Sequence, residues 1–259
     1  MKKLFGIILS LVLLSSSAFA KDIRFAQVTD VKYNVNSENN ALSKVIEDIN
    51  KQNGIEFVVF TGDNINRPDK ENLKAFLKEA KKLNCPFYVV IGDKDVNKRK
   101  GLSKLEYAKF VNKTVRTHKP KTPNYTFEKN KVVFMVVDGA KDVIPSTIGY
   151  YKTDVLEWVD ANLDVYKNRP VVILQHFPIV PPSEKENYYT YNPENYIEVL
   201  RNHRNVIAVI SGHFGVNKEA TLNGIVHIST APAPNYRVID ILNIESGEPT
   251  IWAQVKKAE

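Results

Sequence analysis

The sequence predicts an α/β domain: parallel strands with helices packed outside, and a second sheet facing the first. Three observations predict it. Short β-branched and aromatic runs alternate with helical periodicities through the first half, a βαβαβ rhythm that favours parallel strands. The C-terminal stretch reads as successive strands. Five apolar runs also end on a carboxylate or imidazole: IRFAQVTD at Asp30, EFVVFTGD at Asp63, FYVVIGDKD at Asp93 and Asp95, VVILQH at His176, and NVIAVISGH at His213. Gly stands directly before Asp63, Asp93 and His213. In open α/β sheets ligands lie outside the carboxyl ends of the strands. Carboxylates and imidazoles gathered at one edge are what a divalent cation requires.

In chain order, Lys2-Lys3, the apolar stretch Leu4 to Leu14 and the small residues Ala18 and Ala20 read as a secretory signal peptide over residues 1–20. An uncleaved N-terminal anchor is the alternative, but the apolar core is short of the roughly 20 residues of a membrane span. No Cys follows Ala20, so a lipid anchor is not indicated. The expected mature chain, 21–259, keeps 239 of the 259 residues, enough for one large domain. Its expected location is secreted or periplasmic, with no membrane association after cleavage.

Losing Lys2 and Lys3 lowers the formal charge from +7 to +5. The densest basic stretches, Lys94 to Lys100 and Val111 to Lys121, either attract an anionic substrate or are solvated loops. Neither interleaves the aromatics of a single-strand groove, so no nucleic-acid partner is expected. Cys85 is the only cysteine, which excludes an internal disulfide, and its place between a helix and a strand suggests burial.

The strand ending at Asp30 leads to a helix from Asn40 to about Gln52 carrying Ala41, Val45, Ile46 and Ile49 on one face. After the strand ending at Asp63, a helix from about Lys70 to Leu83 opens behind Asp69, an N-cap residue. A third strand reaches Gly92. Tyr125 to Asp138 reads as a hairpin turned at Lys129-Asn130. A helix spans Thr153 to Leu163. The strands ending at His176 and His213 are separated by a loop, Phe177 to Asn192, and a short helix to about Arg201. EATLN, GIVHIST, YRVIDILNI and TIWAQVK follow as four antiparallel strands, expected to form the second sheet. No linker or repeat divides the chain. His118 and His203 read as solvated. His227 either reaches the site or is a structural strand residue, and the tyrosines of NYYTYN either wall a pocket or pack.

The order Asp-x-x, Gly-Asp, Gly-x-x-Asp, lone His, Gly-His-x-x resembles the calcineurin-like metallophosphoesterases over nearly the whole expected mature chain. The stretch FTGDNINRPDKENLKAFLKEAKKLNCPFYVVIGDKD is especially similar. The branch it looks like is that of purple acid phosphatases and cyclic-nucleotide phosphodiesterases. The resemblance implies a four-layer αββα sandwich with a two-metal phosphoester hydrolase site at one edge, acting on a small phosphorylated substrate.

Three motifs depart from that pattern. The family's Asp-x-His stands here as Asp30-Val31-Lys32, its Gly-Asn-His-Asp as Gly92-Asp93-Lys94-Asp95, and its Gly-His-x-His as Gly212-His213-Phe214-Gly215. By the resemblance, one ion would use Asp63, Asp93, His176 and His213, all competent ligands. The other would use Asp30 and Asp63 but lacks two ligands, replaced by Lys32 and Gly215. His with carboxylate suits Zn, Mn or Fe better than Ca or Mg, so one divalent transition metal is expected. Lys32 would then compensate part of the missing charge, Asn64 is a further candidate for substrate or charge contact, and Lys94 and Asp95 are candidates for the catalytic step. Lys94 occupies the slot of the leaving-group His, yet a lysine titrates near 10.4 and is a poor proton donor at pH 7. The expectation is an exported phosphoesterase with one metal site retained. The alternative is a catalytically inactive relative that binds a metal or a phosphorylated ligand, and a third reading is a structural or envelope-interaction protein on a hydrolase fold.

Overall fold

A computed structural model describes residues 22–37, 41–115, 121–185 and 188–259. The expected signal peptide, Asn40, His118 and Asn187 lie outside the described residues. Strands β1 (Ile23–Val28), β2 (Phe57–Thr61) and β3 (Phe87–Val90) are parallel neighbours. Helices α1 (Ala41–Lys51) and α2 (Lys70–Ala80) connect them. Leu42, Val45, Ile46 and Ile49 put one apolar face of α1 inward. At α2 the Asp69 carboxylate accepts the Asn72 N–H at 2.8 Å, the cap expected of it.

Helix α3 (Lys104–Thr114) has no counterpart among the expected elements. Its signal was nevertheless local: Ser103 and Glu106 cap each other's backbone N–H groups in a capping box. The hairpin of β4 (Tyr125–Lys129) and β5 (Val132–Val136) turns one residue later than expected. Asn130 and Lys131 both take left-handed φ, 42° and 71°, as a two-residue hairpin turn requires.

There follow α4 (Thr153–Val165), β6 (Val171–Leu174), α5 (Pro193–Arg201), β7 (Val206–Ser211), β8 (Lys218–Leu222), β9 (Ile225–Ser229), β10 (Asn235–Leu242) and β11 (Thr250–Lys257). One sheet has the order β11-β10-β1-β2-β3 and the other β4-β5-β6-β7-β9-β8. The four late strands therefore do not make the second sheet. β9 runs parallel to β7 with β8 as its edge, whereas β10 and β11 cross over to pair beside β1. Each late hairpin is local, but its neighbour in the sheet is chosen by long-range burial.

Alternation sorts the side chains into layers. Phe25, Phe57, Phe134, Leu174, Ile210 and Ile239 fill the space between the sheets. Ala26, Val58, Phe60, Val133 and Ile173 point outward under the helices. The result is two mixed sheets flanked by helices. Phe57 stacks on Phe25 at 4.8 Å and meets Phe134 edge-on at 5.0 Å; burying each such ring contributes about 1.5–3 kcal/mol. No helix among the described residues is long and apolar enough to cross a membrane.

Candidate metal centre

β1, β2, β3, β6 and β7 are parallel within their sheets, and their carboxyl ends open on one crevice. Asp30, Lys32, Asp63 and His213 take left-handed φ of 51°, 50°, 51° and 70°. Such residues cost on the order of 1–3 kcal/mol each and cluster where a side chain must be re-aimed. Here they turn the residues beyond each strand end into the crevice, held by Asp30 N–H on Gly62 O at 3.0 Å and Lys32 N–H on Asp63 O at 2.8 Å. The three glycines preceding Asp63, Asp93 and His213 are matters of space. A Cβ on Gly62 would strike the His176 ring, on Gly92 the Asp63 backbone, and on Gly212 the Thr29 hydroxyl.

The two imidazoles are oriented by their outer nitrogens. His176 Nδ1 lies 2.8 Å from Thr61 O and His213 Nε2 lies 2.8 Å from Thr147 O. A carbonyl only accepts, so each of these nitrogens carries the hydrogen. His176 Nε2 and His213 Nδ1 are left facing each other at 3.1 Å, both 3.3 Å from Asp93 Oδ1. Asp93 Oδ1 is itself buried without a well-aligned hydrogen bond. Two ring nitrogens and a carboxylate oxygen that crowd one another, with outer N–H groups fixed on carbonyls, are a donor set that could hold a metal ion. Asp93, His176 and His213 make one candidate ligand group, and Asp30, Asp63 and His176 an overlapping one.

Protons and ammoniums balance the carboxylates. Burial pulls the His176 pKa down, but Asp63, Asp93 and Asp30 outweigh it and push it up to about 10. His213 goes the other way: burial lowers it, and the His176 charge adds to that. Asp93 is held well below the usual carboxylate range, because His176, His213 and Lys94 overcome its burial. Asp30 is lowered too, burial being outweighed by His176, Lys32 and hydrogen bonds from His213 N–H and Thr29.

The lysines hold the other side. Lys94 donates its backbone N–H to Asp63 Oδ1 at 2.9 Å and sets its ammonium 2.8 Å from Asp63 Oδ2 and 3.6 Å from Asp93 Oδ2. Burial depresses its pKa, yet the facing carboxylates raise it on balance, so it is a fixed cation at neutral pH. Lys32 Nζ lies 3.2 Å from Asp30 Oδ1.

Asp95 and Asn64, expected to have catalytic and substrate roles, lie beneath this face rather than among its converging side chains. Asp95 is fully buried and accepts from Gly92 N at 2.8 Å, Ile65 N at 3.0 Å and Asn64 Nδ2 at 3.2 Å. Burial and the Asp63 charge push its carboxyl up to about 8. Asn64 Nδ2 also donates to Val90 O and to the Tyr107 hydroxyl. Together they bracket β2 and β3 to α3 underneath the crevice.

Other residues took part that the sequence pattern did not single out. The Thr147 carbonyl orients His213, and Thr29 and Thr61 contact Asp30 and His176. Of the tyrosines in the 177–192 loop, Tyr188 lies over the His213 ring at 4.9 Å and carries Lys185 Nζ on its face at 3.8 Å. Tyr189 and Tyr191 are exposed. His227 is buried on β9, away from this cluster. His203 is not solvated as expected: its ring is largely covered and pairs with Asp160 at 2.7 Å. Burial pushes the Cys85 thiol up to about 11, which fits an inert residue.

Two stacked mixed sheets with this cluster at their shared edge define a metallophosphoesterase fold. Residues 23–217 match the family model for calcineurin-like phosphoesterases, and the chain belongs to that family, which acts on phosphorylated substrates with divalent metals. No curated protein sequence matches the chain. Among solved structures, a dimetal phosphatase from Danio rerio superposes with a TM-score of 0.62 at 17% identity, covering 92% of this chain and 99% of that one. A purple acid phosphatase from yellow lupin has a TM-score of 0.60 at 12% identity, covering 90% of this chain and 54% of that one. GAP50, described as the anchor in the inner membrane complex of Plasmodium, has a TM-score of 0.59 at 14% identity, covering 92% and 89%. At these identities the likeness is one of fold.

Proposed function

We propose that the chain is an exported phosphoesterase that holds one divalent transition-metal ion through Asp63, Asp93, His176 and His213. The observation that carries this reading is the pair of imidazoles whose outer N–H groups are fixed on Thr61 O and Thr147 O while their inner nitrogens converge on Asp93 Oδ1. Zn, Mn or Fe suits that donor set. Such an ion would supply the positive charge that polarises a phosphoryl group and makes water more acidic. Lys94, 34% exposed, keeps a permanent ammonium at the crevice floor, where it can stabilise negative charge on a small phosphate ester. Lys32 holds Asp30 in the same way on the other wall. The facing carboxylates hold the Lys94 proton in place at neutral pH, so leaving-group protonation would fall to solvent or substrate.

Residues 1–20 are proposed as the export signal and 21–259 as one domain in the secreted or periplasmic space. The N-terminal sequence of the exported protein should begin at Lys21. The functional test is elemental analysis of protein purified without chelator, followed by turnover of an aryl phosphate with added Mn²⁺ or Zn²⁺. Close to one ion per chain with metal-dependent turnover supports the proposal; no ion after metal loading overturns it.

The second reading, a binding protein without turnover, is favoured by one observation: Lys94 engages both oxygens of Asp63, the carboxylate that bridges two ions in the family. An anchor such as GAP50 is a protein of similar fold with a non-enzymatic description. One ion per chain with no turnover of any aryl phosphate would favour this reading.

A further inference from the structure

At the pole opposite the crevice, the turns before β5, β6 and β7 and the turn between β10 and β11 line a cavity of about 580 Å³. It lies where β5, β6 and β7 begin, whereas His176 and His213 of the metal cluster lie just past the ends of β6 and β7; four to six residues of strand set the two roughly 15–20 Å apart. Its walls carry Lys131, Lys167, Arg169 and Arg204, and no carboxylate lines it. Ile207 and Ile244 form an apolar floor, both packed against the layer between the sheets. The volume is that of a small-molecule site.

Arg169 is built into this cavity rather than merely near it. Its Nη1 lies 2.9 Å from Glu128 Oε2, its Nε donates to Lys131 O at 3.1 Å, and its guanidinium stands 5.7 Å over the Tyr166 ring. A guanidinium fixed in this way loses little freedom on meeting an oxyanion. Among the described residues, Glu128 is the only ion-pair partner of any of the four cations. Three cations are thus uncompensated around an apolar floor, a combination that neither a neutral apolar ligand nor a bare inorganic anion would use fully.

We propose that this cavity binds a small amphiphilic anion, an oxyanion head on a short apolar chain, independently of the metal centre. The head would meet Arg169 and Arg204, and the chain would cover Ile207 and Ile244. Free amphiphile in solution is the proposed source, because the floor residues are largely covered, Ile244 buried and Ile207 half-buried, and offer little apolar surface to a bilayer.

The test is calorimetric titration of the full exported chain with octanesulfonate, which no phosphoesterase hydrolyses, and with methanesulfonate. Saturable one-to-one binding of octanesulfonate below its micelle concentration, at least tenfold tighter than methanesulfonate, is expected. Arg204→Gln and Arg169→Gln should each weaken it several-fold and His213→Ala should leave it unchanged. Arg169 has structural partners, so Arg204→Gln and Lys167→Gln on a protein with an unaltered melting curve keep the test decisive. Equal affinity for the two sulfonates, loss of binding in His213→Ala, or indifference to all three cation variants would overturn the proposal. Binding only to vesicles of phosphatidylglycerol would also overturn it, since a bilayer surface and not a free amphiphile would then be the ligand.

Discussion

The two sides of the crevice handle the same problem with different chemistry. On one side His176 and His213 turn bare ring nitrogens toward Asp93, an arrangement that needs a cation from outside or a proton. On the other, Asp30 and Asp63 are met by the ammoniums of Lys32 and Lys94 and need neither. Counted together, the carboxylates of Asp30, Asp63 and Asp93, two ammoniums and one imidazolium sum to zero. A divalent ion replacing the His176 proton takes the sum to +1, attractive to a phosphate; a second would take it to +3. Two carboxylates ~4 Å apart repel by about 4 kcal/mol at an effective dielectric near 20, so built-in cations here have structural as well as chemical consequences. The comparison teaches that two carboxylates of one crevice are met by tethered cations while the third faces two imidazoles.

The largest expected effect breaks the imidazole side. His213→Ala should weaken Zn²⁺ or Mn²⁺ binding by at least roughly 100-fold, since loss even of an outer-shell partner costs 10–100-fold. Lys32→Met should change it little. Equal losses for both variants would mean that the two sides are not distinct.

Next in size is the lysine side. Lys94→Met leaves Asp63 buried beside Asp93 without its cation. Breaking a buried pair costs about 3–5 kcal/mol. Lys94 is 34% exposed, so about 2 kcal/mol is the discounted figure. In a chain of this size that is a fall in Tm of roughly 4–8 °C. Lys32, 38% exposed and 3.2 Å from its partner, should cost under about 1 kcal/mol. The Lys32 deficit should shrink in acid, because the Asp30 carboxyl, held low partly by that ammonium, no longer needs it once protonated. Melts of Lys94→Met that match the parent at pH 8 would show that the ammonium merely rests there.

A pH titration sharpens the same contrast. The folded pKa of His176, about 10, lies above the unfolded value near 6.5. Stability from this group is therefore fully present below about pH 6.5 and is lost as pH rises toward 10. Chelator-treated protein should lose Tm across that window, and metal-loaded protein should not, because a ligating imidazole is already neutral. Parallel curves for the two forms would contradict an ion at His176.

Much of this site was legible because it is written in local patterns. A β-branched run that stops at Gly-Asp or Gly-His announces a strand end and a polar group together, and five such ends place Asp30, Asp63, Asp93, His176 and His213. Asp95 misled for the same reason: two residues past a strand, the turn decides whether a carboxylate faces the crevice or the interior. Here Gly92 and Ile65 N–H groups claim it. The reach of Lys94 back to Asp63 crosses 31 residues and depends on that same turn. Helix α3 is announced only by the Ser103–Glu106 pair, and its C-terminal end runs into the basic stretch from Val111, which hides its helical period. The split of the late strands between two sheets is a matter of long-range pairing that no local pattern carries.

The smallest effect concerns Gly215, where the family pattern has a second histidine. Its φ is +76°, and a Cβ there would meet only Pro232 Cδ at 3.9 Å. Space is therefore open, and the cost of a side chain is backbone strain of about 1–2 kcal/mol. Lys32 already sits at φ 50°, in a region where His is better tolerated than most residues, so Lys32→His should be milder still. The double variant Lys32→His, Gly215→His should fold with a Tm lower by only a few degrees. It should nonetheless gain no second ion, because Lys94 still holds Asp63 Oδ2 at 2.8 Å. Adding Lys94→His frees that carboxylate, and elemental analysis should then move from about one ion toward two. If the double variant alone already binds two, Lys94 yields to metal and the lysine side is no barrier. If the triple variant still binds one, Lys32, Lys94 and Gly215 do not account for the difference between the two sides, and the asymmetry lies in the shape of the crevice itself.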